Sequence, residues 1–239
     1  MPAKNLIDTI LRRKINGEQL EAYIGPYSGG YLTHAVNAEV REKAASGGTV
    51  TALLIQLLQS GKIDGALVNT LRIEEGSVRA RFTIATSVEE ILKARGSKYQ
   101  AVHFASEALP LIRAFKGRLA VVALPCDATL LDRQRKNNSD LDKKIALVIS
   151  LFCGHNSEPE LTERIISQLN RNNEKLLHFR YRSGLWRGSM DLVFKDSALT
   201  VPFTFFSNYQ NLYFFCQRKC LYCEDHFGYH CDISAGDIW

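Results

Sequence analysis

Two apolar segments of the sequence each run directly into a cysteine. Residues 118–124 (RLAVVAL) lead into Pro125 and Cys126, and residues 145–152 (IALVISLF) lead into Cys153. Continuous runs of Val, Ile and Leu are typical of parallel strands that are covered on both faces. The helical stretch between the two segments suits the crossover connection that parallel strands need. Because parallel strands end at one edge of a sheet, where open α/β sheets bind ligands, we expect Cys126 and Cys153 to lie together.

The rest of the chain is predicted to add helices to this sheet and to form a second unit. Helical and strand patterns alternate up to about residue 172, beginning with a short amphipathic helix over residues 4–14. We therefore expect an α/β fold with a mixed, partly parallel sheet and flanking helices, a smaller antiparallel lobe and a cysteine-rich C-terminal loop. A boundary near 172–175 would divide residues 1–172 from residues 173–239. The lobe's strands are predicted over residues 176–182, 190–194 and 199–205.

Composition and charge exclude several classes of protein. Hydrophobic residues make up 46% of the chain and charged residues 23%, which is typical of soluble globular proteins and excludes a disordered or fibrous chain. No stretch approaches the roughly 20 apolar residues that cross a bilayer, and residues 1–17 lack the apolar core of a secretory signal. The net charge of +5 fits an anionic ligand as well as a nucleic acid, and the basic cluster at residues 133–136 is typical of a solvated helix end. We expect a cytoplasmic protein with no membrane span and no nucleic-acid partner.

Cysteine is the composition feature that indicates chemistry. The chain has six cysteines, of which four fall between residues 216 and 231. In a reducing compartment, clustered thiols hold metal or do redox chemistry more often than they form disulfides. The CxxC pair of Cys220 and Cys223, added to the two strand-end cysteines, supplies the four thiolates that an iron–sulfur cluster needs. Structural zinc is the alternative for such a pair, although a second CxxC is lacking. Cys216 or Cys231 could also replace one of the four.

Two short polar segments offer places for a phosphate-bearing cofactor. Residues 46–49 open an apolar helix, so that backbone N–H groups, a hydroxyl and the positive helix end come together. Residues 96–99 follow a helix end and offer a cation, a hydroxyl and a ring in one turn. An ordinary N-cap and an ordinary C-cap glycine are the structural alternatives. The two segments consist of Ser46, Gly47, Gly48 and Thr49, and of Gly96, Ser97, Lys98 and Tyr99.

Six segments, taken in their order and spacing, carry a family resemblance. They are residues 44–68, 96–99 (GSKY), 124–127 (LPCD), 150–156 (SLFCGHN), 178–188 and 220–239 (CLYCEDHFGYHCDISAGDIW). Together they resemble the beta subunit of the coenzyme F420-reducing hydrogenase and dehydrogenase family, over about residues 24 to 239.

The resemblance implies a flavoprotein with FAD and a 4Fe–4S cluster. Such a protein exchanges a hydride with a deazaflavin, or with a similar hydride-carrying coenzyme, and passes single electrons to another redox subunit of the hydrogenase, dehydrogenase or heterodisulfide-reductase type. By resemblance, residues 46–49 and 96–99 hold FAD within residues 1–172, and Lys98 could stabilise negative charge on the reduced flavin. Arg180, Arg182 and Arg187 could face an anionic substrate tail, the alternative being exposed strand residues. The implied cluster ligands are Cys126, Cys153, Cys220 and Cys223, with the loop that carries the last two lying in residues 173–239.

Two other functions stay open at this stage. One is an electron-transfer or scaffold module that holds a cluster but has no substrate of its own, and the other is a structural zinc protein. None of the six histidines is a clear acid or base, and we predict no catalytic side chain. Hydride transfer does not require a general base, so this prediction is compatible with an FAD-dependent oxidoreductase subunit.

Overall fold

The computed structural model describes residue 21, residues 24–184 and residues 187–237. The helix predicted over residues 4–14 lies outside these residues. The chain forms two compact units, residues 1–32 and residues 33–239. In the described part of the first unit, the N–H of Gly25 donates to the carbonyl of Glu21 at 2.9 Å. All elements described below belong to the second unit.

The strands of the described residues form two sheets. They are β1 (Gly65–Glu74), β2 (Ser77–Ala85), β3 (Leu119–Ala123), β4 (Ile145–Leu151), β5 (Leu176–Ser183), β6 (Ser189–Phe194), β7 (Ala198–Pro202) and β8 (Ile233–Ala235). The larger sheet has the order β2-β1-β3-β4-β8, in which β1, β3, β4 and β8 are parallel and β2 is antiparallel to β1. The smaller sheet, β5-β6-β7, is antiparallel.

Helices connect and cover these strands. They are α1 (Ala38–Glu42), α2 (Thr49–Gln59), α3 (Val88–Lys93), α4 (Leu109–Ala114), α5 (Pro125–Lys136), α6 (Ser139–Lys144), α7 (Pro159–Leu169) and α8 (Phe203–Gln210). A capping box between Ser87 and Glu90 starts α3, as its sequence predicts. Proline at the first position starts α5 and α7, where its missing N–H removes no helix bond.

Strand β3 is buried on both faces of the larger sheet. Leu119 and Val121 pack in one apolar cluster with Leu131 of α5, whereas Ala120 packs in another with Leu54 of α2. Fully burying a side chain such as Leu or Val stabilises the fold by roughly 1.5–3 kcal/mol. This two-sided burial is why the strand is continuously apolar, and it confirms the predicted α/β fold with helices on both faces.

The smaller sheet packs around an aromatic core. Tyr181 of β5, Met190 of β6 and Phe206 of α8 are fully buried in one cluster, which Val78 of β2 also joins. The Tyr181 hydroxyl shares a 2.6 Å hydrogen bond with Thr162 of α7. The antiparallel lobe is therefore packed onto α7 and onto the β2 edge of the larger sheet.

Two C-terminal elements differ from the predictions. The strand predicted over residues 199–205 ends at Pro202, and α8 begins at Phe203. Proline lacks the N–H that a further ladder bond would need, and it is compatible with a helix start. Strand β8 was not predicted. It pairs with β4 through Ile149 and Ile233, and so draws the C-terminal segment onto the sheet.

Candidate functional site

Cys126 lies where β3 passes into α5. Leu124 is the N-cap of α5, Pro125 is its first residue and Cys126 lies in the first turn. The Cys126 thiol lies 3.7 Å from Oδ1 of Asp127, a side chain that is almost fully buried. Because a buried strand and a helix start hold the backbone on both sides, the position of this thiol is closely fixed.

Cys153 follows β4 two residues after its end and is tied to the C-terminal loop. Its N–H donates to the carbonyl of His226 at 3.0 Å, and its own carbonyl lies 2.9 Å from Nδ1 of His226. The carboxylate of Asp225 accepts hydrogen bonds from the N–H groups of Phe227 and Gly228, at 3.1 and 2.6 Å. These bonds hold the loop that follows Cys223 against the end of β4.

The structure brings the four predicted cysteines to one cavity. Cys126, Cys153, Cys220 and Cys223 all line a cavity of about 160 Å³ at the carboxyl edge of the larger sheet. Cys220 lies in a 3₁₀ turn, Arg218–Tyr222, and Cys223 follows it. Three segments that are distant in sequence therefore contribute thiols to one cavity.

The other two cysteines are not among the lining residues. The Cys216 thiol donates to the carbonyl of Gln217 at 3.4 Å. The Cys231 thiol donates to the carbonyl of Gly228 at 2.8 Å. All six cysteines are described residues and none forms a disulfide. Four cysteines thus line the cavity and two lie beside it, and burial followed by the neighbouring Cys220 thiol raises the pKa of Cys216 to about 11.

Burial keeps the strand-end thiols protonated. Burial, followed by the charges of Cys126, Cys220 and Cys223, raises the pKa of Cys153 to about 12. Burial and then Asp127 raise the pKa of Cys126 to about 11, against the opposing effect of the Lys219 ammonium. Binding a metal to these thiols would therefore release protons. In the described ranges, no three His, Cys, Asp or Glu side chains are grouped so that they could hold one metal ion.

Two further residues line the cavity: His155, which the sequence places beside Cys153 as a candidate hydrogen-bond partner of the cluster or flavin or else as a core histidine, and Lys219, which was not singled out from the sequence. His155 stacks on Tyr213 with ring centroids 4.2 Å apart, and its Nε2 lies 3.1 Å from the Gln210 carbonyl oxygen. Lys219 also lines the cavity, and its Nζ lies 3.5 Å from Sγ of Cys126. The position of Lys219 directly before Cys220 is the one sequence signal that could have indicated a role for it.

Residues 46–49 form the start of α2. Gly48 is its N-cap with φ +75°, and neither a capping side chain nor an acidic first-turn residue covers the helix start. A Cβ on Gly48 would meet side-chain atoms of Ala35, Val40 and Ala44 at 3.3 Å. Glycine is therefore required here by both backbone conformation and packing. The first-turn N–H groups of α2 keep the capacity to bind an anion.

Residues 96–99 join α3 to the aromatic core. The Lys98 ammonium donates to the carbonyls of Ala94, Arg95 and Gly96, the last two at 3.3 and 2.9 Å. Burial, followed by the charge of Arg180, lowers the pKa of Lys98 to about 7. The structure therefore places this ammonium against the backbone just beyond α3.

Tyr99 and Arg182 link this turn to the C-terminal segment. The Tyr99 ring lies 5.6 Å from that of Tyr181, edge to face, and its hydroxyl accepts a hydrogen bond from Nη1 of Arg182 at 3.4 Å. The same Nη1 lies 3.1 Å from Oδ2 of Asp237. Arg182 is only 8% exposed, so the alternative of an exposed strand residue is wrong for this arginine. Arg180 donates to the carbonyl of Lys43 at 3.1 Å.

Comparison with known proteins identifies the family. Residues 31–108 match the N-terminal part of "Coenzyme F420 hydrogenase/dehydrogenase, beta subunit", and residues 116–238 match its C-terminal part. The chain belongs to this family. The match confirms the resemblance derived from the six sequence segments.

Relatives of the coenzyme F420 hydrogenase/dehydrogenase beta subunit family cover most of the chain. The coenzyme F420 hydrogenase subunit beta of Methanosarcina barkeri is 27% identical over 224 residues, which are 89% of this chain and 72% of the relative. The subunit of the same name from Methanococcus voltae is 25% identical over 90% of this chain and 74% of its own. The coenzyme F420-dependent sulfite reductase of Methanocaldococcus jannaschii is 28% identical over 58% of this chain and 24% of its own.

A solved structure has the same fold. It is a chain of the F420-reducing NiFe hydrogenase complex from Methanosarcina barkeri, with a TM-score of 0.63 and 25% identity over 89% of this chain and 72% of that chain. This agreement confirms the mixed sheet with flanking helices and the separate antiparallel sheet. In the described part of the chain, no helix has the length and apolar character that crossing a membrane requires.

Proposed function

We propose that this chain is an FAD-dependent oxidoreductase subunit with a 4Fe–4S cluster. It transfers electrons between reduced coenzyme F420, or a similar hydride carrier, and a one-electron partner. The observation that carries the proposal is the meeting of four cysteines from three distant segments around one cavity. The family of the chain and the printed names of its relatives support the same redox chemistry.

The donor set at the cavity fits a 4Fe–4S cluster. Four thiols line one cavity, and a 4Fe–4S cluster takes one thiolate at each of its four irons. The ligands would be Cys126, Cys153, Cys220 and Cys223. A helix start, a strand end and a turn hold these side chains, so they are preorganised for binding.

The start of α2 and the turn at residues 96–99 fit the binding of FAD. The uncapped N-terminus of α2 offers N–H groups for a phosphate, with the hydroxyls of Ser46 and Thr49 beside Gly47 and Gly48. Gly96, Ser97, Lys98 and Tyr99 form the second part of this proposed site. When bound, FAD exchanges a hydride as well as single electrons, whereas an iron–sulfur cluster exchanges one electron at a time.

An electron partner would approach at the CxxC turn. Leu221 is 58% exposed and Tyr222 is 77% exposed, so the thiol cavity lies close to the surface there. The solved neighbour is part of a hydrogenase complex, which supports a redox subunit as the partner. We propose that the partner is a hydrogenase, dehydrogenase or heterodisulfide-reductase-like subunit. We also propose that the protein works in the cytoplasm. Within the chain, residues 1–172 would bind the flavin, and residues 173–239 would carry the CxxC loop.

Anaerobic purification tests the proposal. The protein should show flavin absorbance together with about four irons per chain, and reduced coenzyme F420 should bleach the flavin. Colourless, metal-free protein would contradict it. One zinc without iron would identify a structural zinc protein, and a cluster without flavin would identify an electron-transfer module. Reduced ferredoxin and NADPH are tested in parallel with reduced coenzyme F420, and the carrier that bleaches the flavin is the electron donor.

A further inference from the structure

Lys219 reaches across the thiol cavity to a cysteine that is distant in sequence. Its Nζ lies 3.5 Å from Sγ of Cys126 and 3.9 Å from Oδ1 of Asp127. Lys219 itself belongs to the 3₁₀ turn Arg218–Tyr222 and directly precedes Cys220. One ammonium group therefore connects the helix-start cysteine with the CxxC turn.

Once the Cys126 thiol is a ligand, two negative groups lie next to each other, and the Lys219 ammonium lies close to both. The Asp127 side chain is 7% exposed, and its Oδ1 lies 3.7 Å from Sγ of Cys126. A ligating thiolate at Cys126 would place a second negative group beside the carboxylate, in a position that solvent screens only weakly. Lys219 contacts both groups and offsets the repulsion between them.

We propose that Lys219 is a positioning residue that raises the reduction potential of the cluster. The inference rests on the proposed function, because it needs the cluster at the four cysteines. Reduction adds one electron, and therefore negative charge, beside Cys126 without breaking a bond. The potential of an iron–sulfur cluster depends on the local net charge and on hydrogen bonds to its sulfurs. An ammonium that donates to Sγ of Cys126 stabilises the reduced form more than the oxidised form.

The test compares two neighbouring basic residues. Arg218 lies in the same turn and is exposed, but it does not line the cavity, so Arg218→Met removes one positive charge without removing the contact with Cys126. Iron content and the midpoint potential of the cluster are measured anaerobically for the wild type, Lys219→Met, Lys219→Arg and Arg218→Met. The titration uses dithionite as the reductant, mediator dyes and one fixed pH.

We expect all four proteins to hold equal iron. The midpoint potential of Lys219→Met should fall by at least the 59 mV that corresponds to a tenfold change in a one-electron equilibrium. Arg218→Met should keep the wild-type potential, and Lys219→Arg should recover most of it. Full iron with an unchanged potential in Lys219→Met would overturn the inference, as would loss of iron from that variant or an equal shift in Arg218→Met. A wild-type protein without iron would instead refute the proposed function.

Discussion

Asp232 and Val148 are joined by two hydrogen bonds that fasten the C-terminal loop to β4. The N–H of Val148 donates to Oδ2 of Asp232 at 2.7 Å, and the N–H of Asp232 donates to the carbonyl of Val148 at 2.9 Å. Strand β8 begins one residue later, at Ile233. The loop from Cys223 to Cys231 is therefore held at its far end by this pair.

Replacing Asp232 should release the loop. Asp232→Ala removes a hydrogen bond to a charged group, which costs about 1.5–3 kcal/mol, and we expect iron content to fall with faster amide exchange over residues 224–235. Asp232→Asn keeps an acceptor oxygen and should retain most of the iron. Equal iron in the wild type and Asp232→Ala would contradict the role given to this pair.

Gly48→Ala should destabilise the protein and weaken flavin binding. The positive φ costs roughly 1–2 kcal/mol for a residue with a Cβ, and the added Cβ would press on three neighbouring side chains at 3.3 Å. The matched control is Gly61→Ala, because Gly61 has φ +64° but no atom within 4 Å of the added Cβ. Urea unfolding and flavin content measure both effects. A loss of stability no larger in Gly48→Ala than in Gly61→Ala would show that the packing around Gly48 is not decisive.

Lys98 should make the stability of the protein depend on pH. Its pKa is lowered from 10.5 to about 7 by burial and then by Arg180. Between these values the unfolded chain binds more protons than the folded chain, so this group makes the free energy of unfolding rise with pH, by at most about 1.4 kcal/mol per unit. The destabilisation that results from burying the protonated Lys98 side chain is largest below pH 7 and is lost above pH 10.5.

The measurement is denaturant unfolding of the wild type and of Lys98→Met at pH 7 and pH 9. The wild type should gain stability relative to the variant at the higher pH. A stability difference that stays constant between the two pH values would show that Lys98 keeps an ordinary pKa in the folded protein.

The larger sheet could be predicted because its central strands are buried on both faces. Residues 119–123 are continuously apolar for this reason, and residues 145–151 are apolar except for Ser150. This pattern is visible without a structure. Strand β8 has three residues, and it forms only because β4 offers an edge. Such pairing is a tertiary effect, so local periodicity could not indicate it.

Part of the candidate site could also be predicted from the pattern of buried parallel strands. Parallel strand ends place Cys126 and Cys153 at one edge, which the sequence indicates. The contact of Lys219 with Cys126 depends on how the turn Arg218–Tyr222 lies over that edge. The position of Lys219 directly before Cys220 does not indicate that its ammonium faces Cys126, so only the fold identifies this contact.

Iron and acid-labile sulfide content in single Cys→Ser variants tests the central claim most directly. Anaerobically purified wild type, Cys216→Ser and Cys231→Ser should each hold about four irons per chain. Variants at the four cavity cysteines, Cys126, Cys153, Cys220 and Cys223, should lose most of the cluster. Full iron in Cys153→Ser and Cys220→Ser, with loss in Cys216→Ser or Cys231→Ser, would contradict the account.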